Sequence, residues 1–399
     1  MRPLKLLHNF LEKELPFIHK KRLKGIEACC EALIKGNTLS LTHLGRNIAN
    51  KVKEGSNIER VNRLLGNRYL HEEIPLFYQV INHRLIEEGS TPWIHVDWSC
   101  LSSTTQLYVL RATLSMRGRS LTVYQEVHPK KKENNHETHV QFLATLKTLL
   151  PKNVKPIIVT DAGFKGPWFL AVLLMGWDYV GRLRGNISFK LDSTYKWFLC
   201  ETFYENATTT PTCIGQGLLT QANEIDCHFI SYKSLKKGRV KLNKDKKKCM
   251  GGHSQKHAKA NKEPWILATS LPHSKLLAEQ TVKIYKQRMQ IEETFRDTKC
   301  NRYGFGLCES GTKSAERMDV LLLIDFITTF VCWQSGLLTK ENGMASDFQA
   351  HSSKFQNVLS IIYLGKQALK KKINMTKRQF LKIINYMKQL INSDPELVF

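Results

Sequence analysis

The sequence predicts an α/β fold, in which a mixed sheet core is interrupted by a mainly β segment and flanked by helical regions at both ends. Three observations carry that prediction. Apolar residues recur at helical spacing through the first ninety positions, as in Leu23, Ile26, Cys30, Leu33 and Ile34. From Trp93 the pattern shortens to strand-like runs, and strands and helices then alternate as βββαβαβ as far as Arg182. Further on, Met318 to Leu338 is apolar enough to raise the question of a membrane span. Arg317, Asp319, Asp325 and Gln334 interrupt or flank it, so it is read as a buried core helix.

Residues 1–90 form the helical N-terminal region. Gly36-Asn37 stops one helix, and Thr38 or Ser40 caps the next. Ser40 to Ile48 has the pattern of the first helix and turn of a helix-turn-helix unit. The helix expected from Asn57 to Asn67 turns Ile58, Val61, Leu64 and Leu65 inward and leaves Arg60, Asn62, Arg63 and Arg68 for DNA. A small bundle with solvated arginines is the alternative.

Residues 91–184 supply the first part of the core. Trp93 to Asp97 reads as a short strand ending in a carboxylate, and Gln106–Ser115 and Ser120–Val127 as a hairpin around Arg117-Gly118-Arg119. A helix from Glu137 to Leu150, a buried strand from Pro156 to Asp161, a helix from Gly166 to Met175 and a strand from Trp177 to Arg182 follow. This order, with acidic residues ending the first and fourth strands, is that of an RNase H-like core. Residues 185–264 read as a mainly β insertion, with strand-like runs at Trp197–Leu199 and His228–Tyr232. Its second half carries twelve Lys/Arg and one carboxylate between Lys233 and Lys262, the composition of a solvated loop that could order on DNA. Cys249, His253 and His257 fall there at i, i+4, i+8 spacing, but their Lys-rich, Gly-containing setting argues against zinc. Residues 265–338 complete the core. Residues 339–399 are helical, and Lys366, Lys370 to Lys372, Lys377, Arg378, Lys382 and Lys388 decorate an amphipathic pattern that suits DNA, a partner subunit or packing against the body.

The 399 residues hold 60 Lys+Arg against 35 Asp+Glu, a formal charge of +25, which favours a polyanionic partner such as nucleic acid. A hydrophobic share of 42% allows a sizeable core. Ten cysteines scattered without a regular framework suit reduced thiols, and the charged first 24 residues lack a signal-peptide pattern, so a cytoplasmic protein is expected.

The most specific motif lies between Tyr285 and Lys299. On one continuous helix Tyr285, Arg288, Glu292 and Lys299 would fall within a stripe of about 60°. A carboxylate sharing a face with two cations and a phenol suits a phosphodiester beside a divalent metal. With Asp97 and Asp161, Glu292 would complete three converging carboxylates for two Mg²⁺ ions, one activating the nucleophile and one stabilising the leaving oxygen.

Val96-Asp97-Trp98-Ser99, Asp161-Ala162-Gly163-Phe164-Lys165 and Tyr285-x2-Arg288-x3-Glu292-x6-Lys299 resemble the signature blocks of DDE cut-and-paste transposases of bacterial insertion sequences, over about Leu23 to Trp333. The resemblance implies that Asp97, Asp161 and Glu292 are catalytic and bind two Mg²⁺ ions, with Mn²⁺ as an alternative. It implies that Tyr285, Arg288 and Lys299 contact phosphates of the cleaved end. It also implies a DNA hairpin intermediate, with Trp265 stacking on a flipped base and Arg182 as a further hairpin contact. The partners would be double-stranded DNA, as terminal inverted repeats and target, and a second copy of the chain in a synaptic homodimer. Some relatives carry Arg directly after the second Asp; here Ala162 stands there, and no phosphate contact is carried over. A structure-selective endonuclease and a non-enzymatic DNA-binding regulator are the alternative functions.

Overall fold

The computed structural model describes residues 2–102, 104–116, 118–234, 263–353 and 358–392. Cys249, His253, His257 and most of the Lys-rich run lie outside them. Two compact units emerge, one of residues 1–156 with 289–399, the other of residues 157–288.

The first unit opens with five helices: α1 (Pro3–Glu14), α2 (Lys20–Gly36), α3 (Leu41–Asn47), α4 (Glu54–Leu65) and α5 (Arg68–Leu85). Asn37 ends α2 in the left-handed conformation, and the Ser40 hydroxyl caps α3 by accepting from His43 N–H, as the sequence suggests. Helices α3 and α4 cross closely at Gly45, where an added Cβ would stand 2.6 Å from Ile58 Cα. Helix α4 begins three residues before the expected start. Its buried side is Asn57, Val61, Leu64 and Leu65, with Asn57 exchanging hydrogen bonds with Asn50. Ile58 is only half-buried, and Arg60, Arg63 and Arg68 are exposed. Asn62, expected to face DNA, instead accepts from Arg317 Nη2 at 2.7 Å.

The strands β1 (Trp93–Ser102), β2 (Leu107–Ser115) and β3 (Ser120–Pro129) form an antiparallel sheet in the order β3-β2-β1. The first strand does not end at Asp97. Pairing with β2 carries it five residues further, so Asp97 lies in mid-strand opposite Arg111. Helix α6 (His136–Leu149) covers one face, where Trp98 Nε1 donates to His139 Nε2 at 3.0 Å and the Tyr124 and Phe142 rings stack.

The helix expected at Met318–Leu338 is α10 (Ala315–Glu341), the core helix of this unit, with its most apolar stretch wholly buried. Helices α1, α2, α4 and α5 pack on it. So do α11 (Ile361–Lys370) and α12 (Lys377–Asn392). Helix α11 crosses it at Gly336 and Gly365, where an added Cβ at Gly365 would meet Cys332 O at 1.8 Å. Phe380, Ile383, Ile384 and Met387 of α12 are buried, which decides the tail's apolar side for packing. Lys366 is not on a solvated face. It is 3% exposed, and its ammonium donates to the carbonyls of Tyr303 and Gly304 at 2.8 and 3.1 Å.

The second unit pairs β4 (Ile157–Thr160) parallel to β5 (Asp178–Leu183). β10 (Trp265–Thr269) lies antiparallel between β5 and β9 (Ile225–Tyr232). β8 (Thr212–Leu219), β6 (Ser188–Leu191) and β7 (Trp197–Leu199) continue it in that order. Helix α7 (Gly166–Leu174) packs on β5 by stacking Phe169 on Tyr179, and α8 (Leu277–Lys286) lies against β5, β8, β9 and β10.

Helix α9 (Met289–Lys299), which belongs to the first unit, corrects the expectation of one continuous helix through the Tyr285–Lys299 motif. Gln287 N–H bonds Ile284 O and Arg288 N–H bonds Tyr285 O. These i to i+3 bonds tighten the end of α8 and close it with a turn.

Candidate catalytic site

In the first unit the predicted residues Asp97, Glu292 and Lys299 are carried by β1 and α9. Asp97 and Arg111 are directly opposed, and Arg111 is directly opposed to Gln125 of β3. Such residues project to the same face. That face meets α9, whose buried side carries Gln290, Ile291, Thr294, Phe295 and Thr298. Glu292 is exposed in the first turn of α9, the helix end where a carboxylate is favoured by the dipole. Lys299, in the last turn, donates from Nζ to Ser99 Oγ at 2.8 Å and to Cys100 O at 3.2 Å. Burial, with help from Arg111, lowers its pKa, while Cys308, Cys100 and Asp97 oppose the shift. Lys299 thus ties the end of the Glu292 helix to the strand of Asp97.

Three polar residues on the buried side of α9 carry further bonds, and sequence reasoning missed them. Gln290 Oε1 accepts from Met116 N–H at 2.8 Å, and Thr294 Oγ1 pairs with Ser120 Oγ at 2.8 Å. Thr298 Oγ1 donates to Asp325 Oδ2 at 2.7 Å. Their i, i+4, i+8 spacing was the available signal. On the outer flank, Arg119 holds Asp297 at 2.6 Å and Glu293 at 3.5 Å.

In the second unit Asp161 directly follows β4. Gly163 N–H donates to its Oδ1 at 2.8 Å and so fixes the turn of the carboxylate. Burial raises the pKa of the Tyr285 phenol, Arg288 and Arg182 pull it down, and Asp161 pushes it up, so these four groups form one electrostatic cluster. Tyr285 is 4% exposed. Trp265 stands edge-on to it, with ring centroids 4.8 Å apart, and the Arg288 guanidinium lies 5.9 Å from the Tyr285 centroid. Trp265 is the first residue of β10, opposite Tyr232, and is half-buried. Arg182 donates to Pro264 O at 3.5 Å and lies 4.0 Å from Glu263, which Arg184 also grips at 2.7 Å.

Each unit therefore assembles part of the predicted site. Asp97, Glu292 and Lys299 belong to one, and Asp161, Arg182, Trp265, Tyr285 and Arg288 to the other. Among the described residues no group of three or more His, Cys, Asp or Glu side chains is gathered closely enough to hold a metal ion. Arg60 and Arg63 lie apart on α4, Arg63 paired with Glu59 at 3.5 Å.

Residues 96–324 match the family model of the transposase DDE domain. That span is more than half of the chain and contains Asp97, Asp161 and Glu292, so the chain belongs to the DDE transposase family. Enzymes of this family act on DNA and generally use divalent metal ions. No curated protein matches the chain.

Proposed function

We propose that the protein binds transposon ends, cleaves them through a DNA hairpin and joins them to target DNA, using Asp97, Asp161 and Glu292 in a synaptic homodimer. The observation that carries this reading is the family match spanning all three carboxylates. In our reading the blocks Val96–Ser99, Asp161–Lys165 and Tyr285–Lys299 also resemble those of the transposase of the insertion sequence that flanks the tetracycline-resistance transposon.

The donor set fits two hard divalent cations, Mg²⁺ or alternatively Mn²⁺, because all three side chains offer only carboxylate oxygens. When bound, such ions activate a water or 3′-hydroxyl and neutralise the charge developing on the leaving oxygen. The remaining roles belong to the chain. Tyr285, with its raised phenol pKa, stays a hydrogen-bond donor at neutral pH. Arg288 brings a fixed cation beside it and Arg182 a second one. An ammonium has three donors, so Lys299 can offer one to a phosphate while keeping Ser99 and Cys100. The half-buried ring of Trp265, braced by Tyr285 and Tyr232, suits stacking on an unstacked base. Arg60 and Arg63 would contact end DNA from α4.

The test is cleavage of end-containing DNA in Mg²⁺ by the wild type, Asp161→Ala and Glu292→Gln. Both variants should lose nicking, hairpin formation and strand transfer while still binding the end. Cleavage at wild-type rates by both would sink the assignment. A structure-selective endonuclease is the second reading. It would nick the same DNA without making hairpins or joining ends.

A further inference from the structure

The buried polar residues behind the Glu292 helix form a connected assembly that burial alone does not require. Arg111 is completely buried at the centre of the row Asp97, Arg111, Gln125. Its Nε donates to Gln125 Oε1 at 2.7 Å, its Nη1 donates to Thr298 Oγ1 at 3.2 Å, and its guanidinium lies 4.8 Å from the Phe295 ring centroid. Asp325 of α10 accepts from Thr298 and faces Arg111 Nη2 at 3.8 Å. Gln125 Nε2 extends the chain of bonds to the Tyr78 hydroxyl at 2.8 Å. One guanidinium therefore links the strand neighbour of Asp97, the helix of Glu292 and the core helix.

A buried ion pair adds little net stability over well-packed apolar residues of the same volume; the directional part here is the set of hydrogen bonds from Arg111 to Gln125 and Thr298 and from Thr298 to Asp325. Apolar contacts between a helix and a sheet tolerate sliding and rotation; a hydrogen-bonded hub at the interface does not. A slip of one residue along α9 would shift Glu292 by about 1.5 Å and turn it by about 100°. Displacements of about 1 Å can lower a catalytic rate about 100-fold.

We propose that Arg111, Thr298 and Asp325 form a positioning clasp that sets the rotation and axial register of α9, and thereby places Glu292 relative to Asp97 for cleavage. The inference rests on the assignment of those two carboxylates as catalytic. None of the three clasp residues touches DNA in this role.

The experiment compares Thr298→Val, which keeps the shape and removes the hydroxyl, with Thr298→Ser, which restores it. Thr328→Val, at a buried threonine of α10 outside the clasp, is the control, and Asp325→Asn is the second probe of the clasp. Cleavage rates are measured with end-containing DNA in Mg²⁺ over a range of DNA concentrations, below each variant's melting temperature. Thr298→Val and Asp325→Asn should lower the rate at saturating DNA about 10-fold or more, with KM within about twofold. Thr298→Ser should recover most of the rate, and Thr328→Val should match the wild type. A wild-type rate in Thr298→Val, equal losses in Thr298→Val and Thr298→Ser, or a loss confined to KM would overturn the clasp. If Glu292→Gln still cleaves, the catalytic assignment fails instead, and the two failures are told apart.

Discussion

Removing the cation from the Arg111–Asp325 pair should make stability depend on pH in a defined direction. Burial pushes the Asp325 carboxyl up to about 6, while Arg111 and the Thr298 hydrogen bond pull it down. The ordinary value is about 3.9. A carboxyl raised in the folded state keeps a proton that the unfolded chain has already released. Its contribution to stability is thus fully present below about pH 3.9 and declines as pH rises to about 6, where it levels off. Arg111→Met preserves much of the side-chain volume but removes the charge, so the Asp325 pKa climbs further and the decline continues. Each additional pH unit costs about 1.4 kcal/mol, and between pH 6 and pH 8 the variant should lose up to about 3 kcal/mol that the wild type keeps. At pH 5 Asp325 is mostly protonated in both proteins. The substitution then costs chiefly the two hydrogen bonds that the guanidinium donates to Gln125 and Thr298, about 3 to 6 kcal/mol together. Urea unfolding followed by circular dichroism at pH 5 and pH 8 measures both penalties. An equal penalty at the two values, or a larger one at pH 5, would refute the reasoning.

Trp265→Ala should slow hairpin formation by about 5- to 150-fold, the equivalent of 1–3 kcal/mol of base stacking, while leaving the first nick near the wild-type rate. A gel time course separates the two steps, and equal slowing of both removes the stacking role. Arg60→Ala and Arg63→Ala should each flatten the plot of log affinity for end DNA against log salt by about 0.9, the release of one phosphate contact; an unchanged slope excludes the contact. Gly45→Ala should destabilise the protein by about 1 to 3 kcal/mol, because the new Cβ would meet the Ile58 backbone where α3 and α4 cross. A wild-type melting temperature in Gly45→Ala would mean that the two helices do not approach as described.

Local periodicity was enough to locate the secondary structure wherever each element is defined by its own residues. The order of strands and helices from Trp93 to Leu183, the cap at Ser40 and the burial of α10 were all legible for that reason. Errors arose where a distant partner sets the outcome. β1 runs on past Asp97 because β2 supplies a ladder as far as Ser102, and nothing in Trp98 to Ser102 announces that partner. Lys366 reads as one cation among many, yet the carbonyls of Tyr303 and Gly304 hold it in the core. The break between α8 and α9 had no sequence signal either, since residues 285–292 contain no glycine or proline.

That break alters the meaning of the motif from Tyr285 to Lys299. Spacing reports which residues share a helix face only while the helix is unbroken, and here the turn at Gln287–Arg288 divides the four residues between two units. Tyr285 and Arg288 end the part that carries Asp161, Arg182 and Trp265, whereas Glu292 and Lys299 lie in the first and last turns of the helix that lies against the strand of Asp97. Polarity in α9 likewise has two destinations. Glu292 faces solvent, but Gln290, Thr294 and Thr298, equally polar and regularly spaced, are buried and bonded to the sheet and to α10. A helix that only displayed a carboxylate could be anchored by leucines. One fastened by hydrogen bonds at both ends of its buried face has a fixed register, which a carboxylate needs if it is to meet partners carried on other elements.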